Sequence, residues 1–276
     1  MIHKLLRLVP PFKGKHRISR LLMKSLLANG RDLLIEGKWK CKYLLPNLKE
    51  SISFKILING VYEEDTINII LSRLALKEGA FIDIGANIGA ITIPVCTRLE
   101  NLKTVCVEAV PWINDYLKKN IEINHLQKVQ IIEKAISAKP NESVKFYSSQ
   151  DNFGKGSMAP VFTDHGIEVT TTTIDLIASS LSEAISVIKI DIEGFEYHAF
   201  LGGVHLFSGD DAPDIIFEYV DWAEERAGIT AGSAQQFLID LGYSLFIFHK
   251  GKLLTLNSIV VKGSAMLLAT KKPISK

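Results

Sequence analysis

FIDIGANIGAIT, residues 81–92, is an apolar run of strand length followed by a glycine-bearing turn and the start of a helical pattern. The apolar residues suit a strand buried on both faces, and those after the turn have the spacing of an inward-facing helical stripe. Gly85, Ala86, Asn87 and Gly89 form the turn, where glycine lets the backbone approach a ligand and the helix start favours a carboxylate or phosphate. The stretch therefore predicts a nucleotide-type cofactor site in an α/β fold.

The turn differs from the dinucleotide fingerprint G-x-G-x-x-G, because Gly85 is followed by alanine and asparagine and the next glycine is Gly89. Asp83, two residues before the first glycine, would repel a pyrophosphate. It can instead attract an ammonium group, such as that of the methionine part of S-adenosylmethionine, directly or through water. We therefore predict S-adenosylmethionine as the cofactor and keep an NAD-type Rossmann oxidoreductase as the alternative.

A second acid ends the next apolar strand, in VCVEAVP at residues 105–111, where Glu108 is followed by Ala109. A carboxylate has two oxygens and can accept hydrogen bonds from both hydroxyls of a ribose, which adenosyl and dinucleotide cofactors share. Taken alone, Asp83 could cap the following helix and Glu108 could face a loop. Together, at the ends of adjacent strands with a glycine turn between them, they favour a cofactor site.

From about residue 54 onward, apolar runs of strand length alternate with helical patterns, which predicts βαβ units and a mostly parallel sheet with helices on both faces. Strands are predicted at residues 79–84, 104–108, 129–133, 187–191, 215–219, 244–248 and within 265–270, and helices at residues 88–98, 112–123, 195–206 and 234–241.

Residues 143–173 depart from this alternation. SVKFYS and IEVTTTTID resemble short strands, and the stretch between them is rich in glycine, serine and asparagine. A connection of this length is usually functional or mobile. We consider two interpretations, a lid over a ligand that includes Asn152, Gly154, Gly156 and Ser157, and a plain mobile loop.

Four charged residues interrupt or follow the apolar strand in VIKIDIEGFE, residues 187–196. Burying charge is costly unless the charge has a partner or a task. We predict that Lys189 pairs with a neighbouring acid inside the protein and that Glu196 binds the first-turn amides of the helix that follows. Asp191 and Glu193 then emerge where open α/β sheets bind their ligands, at the carboxyl end of the strands.

Six motifs are found over about residues 79–246, and they are FIDIGANIG (81–89), VEAVP (107–111), NIEIN (120–124), TIDLI (173–177), IKIDIEGFE (188–196) and PDIIFEY (213–219). Together they resemble the FkbM family of S-adenosylmethionine-dependent methyltransferases. The resemblance implies the class I methyltransferase fold, a seven-stranded sheet whose last strand is antiparallel, and methyl transfer, typically to a hydroxyl of a sugar or small natural product. One departure is Ala109, where the family more often has proline.

Methyl transfer to a hydroxyl requires an acceptor held in line with the methyl group and a group that removes a proton. Asp191 is our candidate for the base or for the group that orients the acceptor, Glu193 could share either role, and Glu218 on the next strand is a third candidate. The three acids would suit Mg²⁺, but their spacing does not demand it, and we predict no metal. A non-catalytic cofactor-binding module on the same fold remains an alternative.

The composition is that of an ordinary globular protein, with 276 residues of which 47% are hydrophobic and 22% are charged. Three scattered cysteines predict a reducing, cytoplasmic setting, and the sequence contains neither a long apolar span nor a secretory signal pattern. The body is mildly acidic and has no NPPY or DPPY motif, which argues against a nucleic-acid substrate. We expect a small-molecule or glycan acceptor.

The charge is uneven, because residues 1–31 hold eight lysines or arginines and no acid. We divide the chain into a basic N-terminal helical extension, residues 1–50, and a methyltransferase domain, residues 51–276. In ISRLLMKSLL, residues 18–27, apolar residues could share a helical face. One interpretation is peripheral contact with a membrane or another polyanion, and the other is a solvated helix packed on the domain. The oligomeric state cannot be predicted.

Overall fold

The chain begins with short helices and a β-hairpin and continues with two helices that lead into the main sheet. The computed structural model describes residues 2–9, 12, 14–28, 30, 32–160, 163–249 and 252–273. In chain order, the first elements are α1 (Ile2–Leu8), α2 (Lys15–Leu22), α3 (Lys24–Ala28), β1 (Leu33–Glu36), β2 (Lys42–Leu45), α4 (Ser51–Asn59) and α5 (Glu64–Leu74).

Strands and helices then alternate, as the pattern of apolar runs predicts. The elements are β3 (Ala80–Ile84), α6 (Thr92–Arg98), β4 (Thr104–Val107), α7 (Pro111–Ile123), β5 (Val129–Ile132), β6 (Ala135–Ile136), β7 (Ser143–Tyr147), β8 (Gly166–Thr172), α8 (Ile174–Ser180), β9 (Ile185–Ile190), α9 (Glu196–Leu201), α10 (Val204–Ser208), β10 (Asp214–Val220), α11 (Asp221–Arg226), α12 (Ser233–Asp240), β11 (Ser244–His249), β12 (Lys252–Thr255) and β13 (Ser264–Thr270).

The main sheet has eight strands in the order β12-β11-β13-β10-β9-β3-β4-β5. The pairs from β10 to β5 are parallel, and β13 is antiparallel to both of its neighbours, as the family resemblance implies. The expectation of seven strands was wrong. The additional strand, β12, forms an antiparallel hairpin with β11 at the edge of the sheet, where partial exposure removes the continuous apolar signal that marks a buried strand.

The predicted helices at residues 88–98 and 195–206 differ from those in the structure. Residues 88–91 form a turn, and α6 begins only at Thr92, because Gly89 has a φ of 85° that a helix cannot include. The second predicted helix is divided into α9 and α10 at a pair of glycines. A side chain at Gly202 would collide with the carbonyl oxygen of Ser137, so the chain packs too closely there for any larger residue.

Residues 135–172 form a second, three-stranded sheet in which β8 lies between β6 and β7. The two short strands predicted in this region are present as β7 and β8, paired antiparallel. Tyr147 and Ser157 exchange two backbone hydrogen bonds, of 2.8 and 3.1 Å, beyond the end of β7. This bridge closes the intervening connection and holds it over the carboxyl edge of the main sheet.

The central strands are buried on both faces, which explains their nearly continuous apolar sequences. Every residue of β3 and of β9 is buried. Ile188 and Phe217 belong to the hydrophobic cluster on one face of the sheet, whereas Val187 and Ile216 belong to the cluster on the other face. The layers are therefore helix, sheet and helix, and the carboxyl edge of the parallel strands is left to form a site.

The N-terminal segment packs into the same core as the rest of the chain. Tyr43 and Phe54 are fully buried in one hydrophobic cluster together with Ile88 and Ile113. Helical or irregular structure was expected before residue 50, whereas the structure has an antiparallel hairpin of β1 and β2 there. The division of the chain at that point stays a prediction. Within the described residues, no helix has the length and apolar character needed to cross a bilayer.

Two asparagines of NIEIN attach this hairpin to α7. Asn120 is fully buried, accepts a hydrogen bond of 2.7 Å from the Leu44 amide and donates one of 2.9 Å to the carbonyl oxygen of Ile88. Asn124 accepts one of 2.8 Å from the Lys42 amide and donates one of 2.7 Å to the same residue's carbonyl. Asn120 therefore links the hairpin to the glycine turn.

Replacing Asn120 with alanine should lower the free energy of unfolding by about 2 kcal/mol, because it leaves a buried amide and a buried carbonyl without partners. Chemical denaturation of the wild type and of Asn120→Ala measures the difference. The exposed Asn101→Ala is the matched control and should change stability little. An equal effect of the two substitutions would show that the hydrogen bonds of Asn120 do not stabilise the fold.

Candidate active site

A cavity lies at the carboxyl ends of β3, β4 and β9. The space between protein atoms there is about 830 Å³ and includes a part that is open to solvent. Seven of the ten site residues predicted from the sequence line it. They are Gly85, Ala86, Asn87, Glu108, Ala109, Asp191 and Glu193.

The glycine turn has a left-handed backbone, with φ values of 74° at Gly85, 52° at Asn87 and 85° at Gly89. A Cβ atom on Gly85 would collide with the carbonyl oxygen of Asp191, so this glycine lets the ends of β3 and β9 touch. Gly89 is not among the residues that line the cavity. Its own Cβ would lie 3.1 Å from the Leu117 side chain, so this glycine serves packing against α7.

Glu108 is buried at the end of β4 and holds the turn through both of its carboxylate oxygens. Oε2 accepts a hydrogen bond of 3.0 Å from the Asn87 amide, and Oε1 accepts one of 2.9 Å from the Val110 amide. Burial raises the pKa of Glu108 to about 6, although these amides oppose the shift. Each oxygen keeps a second lone pair, so the residue can still accept hydrogen bonds from a ligand in the cavity.

Asp83 is fully buried and lies outside the set of residues that line the cavity. Its Oδ2 accepts a hydrogen bond of 2.7 Å from the Thr92 hydroxyl at the start of α6, and its Oδ1 lies 3.4 Å from the Lys189 ammonium. The expected contact with the ammonium group of a ligand stays a prediction. In the structure, Asp83 connects β3 to the start of α6 through this hydrogen bond with Thr92.

Lys189 is buried between two acids, as predicted. Its ammonium nitrogen lies 3.4 Å from Asp83 and 3.5 Å from Asp191, and it donates a hydrogen bond of 3.2 Å to the carbonyl oxygen of Gly85. Burial alone would lower the pKa of Lys189, but the carboxylates of Asp191, Asp83 and Glu63 raise it above its usual value. The Lys189 ammonium therefore links the glycine turn to Asp191, one of the three candidate catalytic acids.

The structure brings together the three acids that we predict to be catalytic. One oxygen each of Asp191, Glu193 and Glu218 lies within 4.8 Å of the other two. Glu218 lies on β10, behind the residues that line the cavity. Burial and the charge of Asp191 raise the pKa of Glu193 to about 7, and burial together with Asp191 and Glu193 raises that of Glu218 to about 10.

These shifts give neighbouring acids different protonation states. Near neutral pH, Glu218 holds a proton and Glu193 titrates, while Asp191 faces the Lys189 ammonium. A carboxylate whose pKa is close to the working pH is well suited to accept a proton from a substrate. The three oxygens are also close enough to share a cation, so the expectation of no metal stays a prediction.

Glu196 fixes the loop that presents Glu193. It is buried and accepts hydrogen bonds of 3.0 Å from the amides of Ile192 and Gly194. The prediction that it binds amides of the following helix was wrong, because both donors lie in the loop before α9. Gly194 has a φ of 97°, and a side chain there would collide with the carbonyl oxygen of Ala223. The hydrogen bonds to Glu196 and the close packing of Gly194 against Ala223 therefore both fix the conformation of this loop.

The connection between β7 and β8 covers one side of the cavity. Gly154 and Gly156 line the cavity, as the lid interpretation expects. Asn87 donates a side-chain hydrogen bond of 3.0 Å to the carbonyl oxygen of Phe153, and the Ser157 hydroxyl donates one of 3.1 Å to that of Glu193. The connection is therefore attached to the glycine turn and to the loop with the acids.

Several residues that line the cavity were not identified from the sequence. Lys134 follows β5 and could have been found from the rule that ligands bind at the carboxyl ends of parallel strands. Tyr62 lies between α4 and α5, before the first predicted strand, and carries no such signal. Phe146 and Met158 come from the second sheet and its connection, whose position over the main sheet depends on tertiary packing.

The strand order, the glycine turn after β3 and the acid at the end of β4 define a class I methyltransferase fold. The family model described as "Methyltransferase FkbM domain" matches residues 83–245. The chain belongs to the FkbM methyltransferase family. This confirms the resemblance found in its motifs and favours methyl transfer over the NAD-type oxidoreductase.

Solved structures of low sequence identity are also similar to this chain. Precorrin-6y C5,15-methyltransferase from Geobacter metallireducens is 15% identical, with coverage of 77% of this chain and 93% of that one and a TM-score of 0.43. Magnesium protoporphyrin IX methyltransferase from Synechocystis is 8% identical, with coverage of 79% and 83% and a TM-score of 0.41. No curated protein sequence matches the chain.

Stability should fall as the pH rises through the range in which the acid cluster loses its protons. The pKa of Glu218 in the folded protein, about 10, lies above the ordinary 4.5, so the folded state holds a proton that the unfolded state releases in this range. Glu218→Gln has no such proton to lose. Its free energy of unfolding should therefore rise relative to the wild type, by at least about 1 kcal/mol, between about pH 5 and about pH 9.

Denaturant titrations of both proteins at the two pH values measure this difference. Glu225→Gln is the matched control, because Glu225 is exposed on α11, and its difference from the wild type should not change with pH. A constant difference between Glu218→Gln and the wild type would contradict the raised pKa of Glu218.

Proposed function

We propose that this protein is an S-adenosylmethionine-dependent O-methyltransferase that acts on a hydroxyl group of a sugar, a glycan or a small natural product. The observation that carries the proposal is the group of three acids, with different protonation states, beside the glycine turn. Carboxylates bind hydroxyl groups through charge-assisted hydrogen bonds, and one that titrates near neutral pH can remove a proton.

The residues of the cavity fit the proposed cofactor. The free lone pairs of Glu108 suit ribose hydroxyls, and the backbone from Gly85 to Asn87 borders the same space. Ile84, Val107 and other apolar residues line an adjoining wall that suits the adenine ring. When bound, the cofactor's sulfonium group supplies the methyl electrophile. The glycine turn and Glu108 are the residues that would hold it.

The acids then have separate roles in the transfer. Asp191, beside the Lys189 ammonium, is suited to orient the acceptor hydroxyl, and Glu193 is suited to take its proton. Glu218, which holds a proton near neutral pH, can donate a hydrogen bond within the group. Proton removal of this kind contributes roughly 10² to 10⁴-fold to a rate, and the remainder comes from positioning.

The acceptor, the compartment and the partners belong to the same proposal. A glycan or small molecule is favoured over a nucleic acid, because the mildly acidic body of the protein would repel nucleic-acid phosphates. Cys41, Cys96 and Cys106 are free and buried, which is consistent with a reducing, cytoplasmic setting. A non-catalytic role of the same fold is the alternative that the experiments below separate.

S-adenosylmethionine should raise the melting temperature of the protein and NAD should not, because a ligand stabilises the state that it binds. Glu108→Gln should weaken the affinity for the cofactor by roughly tenfold, since an amide replaces one acceptor oxygen with a donor. Thermal unfolding measures the change in melting temperature, and calorimetric titration measures the affinity. The melting temperature of the unliganded variant is a check on folding. A wild-type protein that does not bind S-adenosylmethionine would refute the proposal.

Labelled S-adenosylmethionine, incubated with the protein and a panel of nucleotide sugars, cell-envelope glycans and hydroxylated natural products, identifies the acceptor. Mass spectrometry locates the transferred methyl group. We expect the label on an oxygen atom. A label on nitrogen or carbon would contradict O-methylation while leaving methyl transfer intact, and cofactor binding without any transfer would favour the non-catalytic module.

Glu193→Gln should lower kcat by roughly 10² to 10⁴-fold while the affinity for the cofactor is retained, because the variant cannot accept a proton. In the wild type, kcat should rise as the pH passes about 7, where Glu193 becomes ionised, and this dependence should be absent in the variant. Glu225→Gln is the control. An unchanged pH profile in Glu193→Gln would remove Glu193 as the base.

A further inference from the structure

The first two helices expose leucines rather than burying them. On α1, Leu5 is 62% exposed and Leu8 is 79% exposed, and they are three residues apart on one face. On α2, Leu21 is 75% exposed, and Ile18 and Leu22 beside it are about half exposed. We call these five residues the N-terminal face.

Polar side chains of α2 pack on the rest of the protein. Ser19 is fully buried, and Lys15 is buried with its ammonium 2.8 Å from the carbonyl oxygen of Val9. The Arg20 guanidinium lies 4.4 Å from the centre of the Phe54 ring. A helix of a soluble protein normally turns its apolar residues inward, so α2 has the reverse orientation. Such an orientation exposes an apolar surface that a partner can cover.

Both helices rest on the same element, α4. Arg7 on α1 donates a hydrogen bond of 3.1 Å to the carbonyl oxygen of Leu57, and His16 on α2 packs edge-on against Phe54 at 6.0 Å. Phe54 and Leu57 are three residues apart and hence lie on one side of α4. Both helices therefore pack on one side of α4, while the five residues of the N-terminal face stay exposed.

Charge indicates which partner covers this surface. Residues 1–31 carry eight lysines or arginines and no acid, whereas the rest of the chain has 24 basic and 30 acidic residues. A second copy of the chain, docked by the same face, would bring two such basic segments together, and like charges repel. Anionic lipid attracts the basic residues and also accepts the leucines below its headgroups.

We propose that the N-terminal face docks on an anionic membrane surface, with α1 and α2 lying in its plane. This goes beyond the proposed methyl transfer and does not depend on it. Leucines inserted at the interface supply the apolar part of the binding. Arg17 and Lys24, both exposed, supply part of the attraction to acidic headgroups.

Co-sedimentation of the full chain with vesicles tests the proposal. Wild-type protein should bind vesicles of phosphatidylcholine mixed with phosphatidylglycerol far better than vesicles of phosphatidylcholine alone, and added salt should weaken the binding. The double variant Leu8→Asn with Leu21→Asn should bind on the order of tenfold more weakly for each leucine removed. Its control is Leu76→Asn with Leu254→Asn, two exposed leucines outside the N-terminal face.

A second variant keeps the test independent of any effect on folding. Arg17→Gln with Lys24→Gln should lower binding to the mixed vesicles by about fivefold for each charge removed. Lys145→Gln with Lys252→Gln, from exposed positions elsewhere, is the control and should bind as the wild type does. Affinity for S-adenosylmethionine should be unchanged in all four variants, which separates this proposal from the proposed function.

Three outcomes would overturn the proposal. The first is equal vesicle binding by the wild type and the leucine variant, and the second is wild-type binding that does not depend on phosphatidylglycerol. The third is a wild-type dimer in sedimentation equilibrium that the leucine variant converts to a monomer, which would assign the N-terminal face to a second copy of the chain.

Discussion

The buried ammonium of Lys189 holds the glycine turn and the ends of two neighbouring strands together. It lies between Asp83 below the glycine turn and Asp191 at the end of the neighbouring strand, and it also binds the carbonyl oxygen of Gly85. Asp83 and Lys189 are direct partners in the pairing of β3 with β9. A buried charge is tolerated only when partners surround it, so the strands, the turn and the first acid must keep their mutual positions.

The same constraint explains why the protein can keep so many acids in one place. Lys189 offsets part of the repulsion among Asp191, Glu193 and Glu218. Burial and the remaining repulsion raise the pKa of Glu218 to about 10, so this residue keeps its proton near neutral pH. Retained protons stabilise the folded state only below the pH at which they are lost. The acid cluster therefore lowers the stability of the folded protein in alkaline solution and provides an acid, Glu193, that titrates near neutral pH.

The sequence predicts those parts of the fold that burial alone determines. All seven predicted strands of the sheet are present, because continuous apolar runs mark strands covered on both faces. β1, β2 and β12 were missed, since pairing and side-chain hydrogen bonds such as that of Asn120 hold them. The direction in which the Asp83 side chain points could not be predicted either. In a strand buried on both faces there is no polar alternation, so the sequence does not tell which way its carboxylate points.

The backbone contact between Gly85 and Asp191 has a consequence for how the family can diversify. Neither strand end can move without the other, because no side chain fits between them. The distance from the glycine turn to Asp191 is therefore fixed by the backbone, whereas the wall contributed by Tyr62, Phe146 and Phe153 comes from segments outside the main sheet. Those segments can change in length and sequence without moving the glycine turn relative to Asp191, so the shape of the cavity wall and the position of the acid can evolve separately.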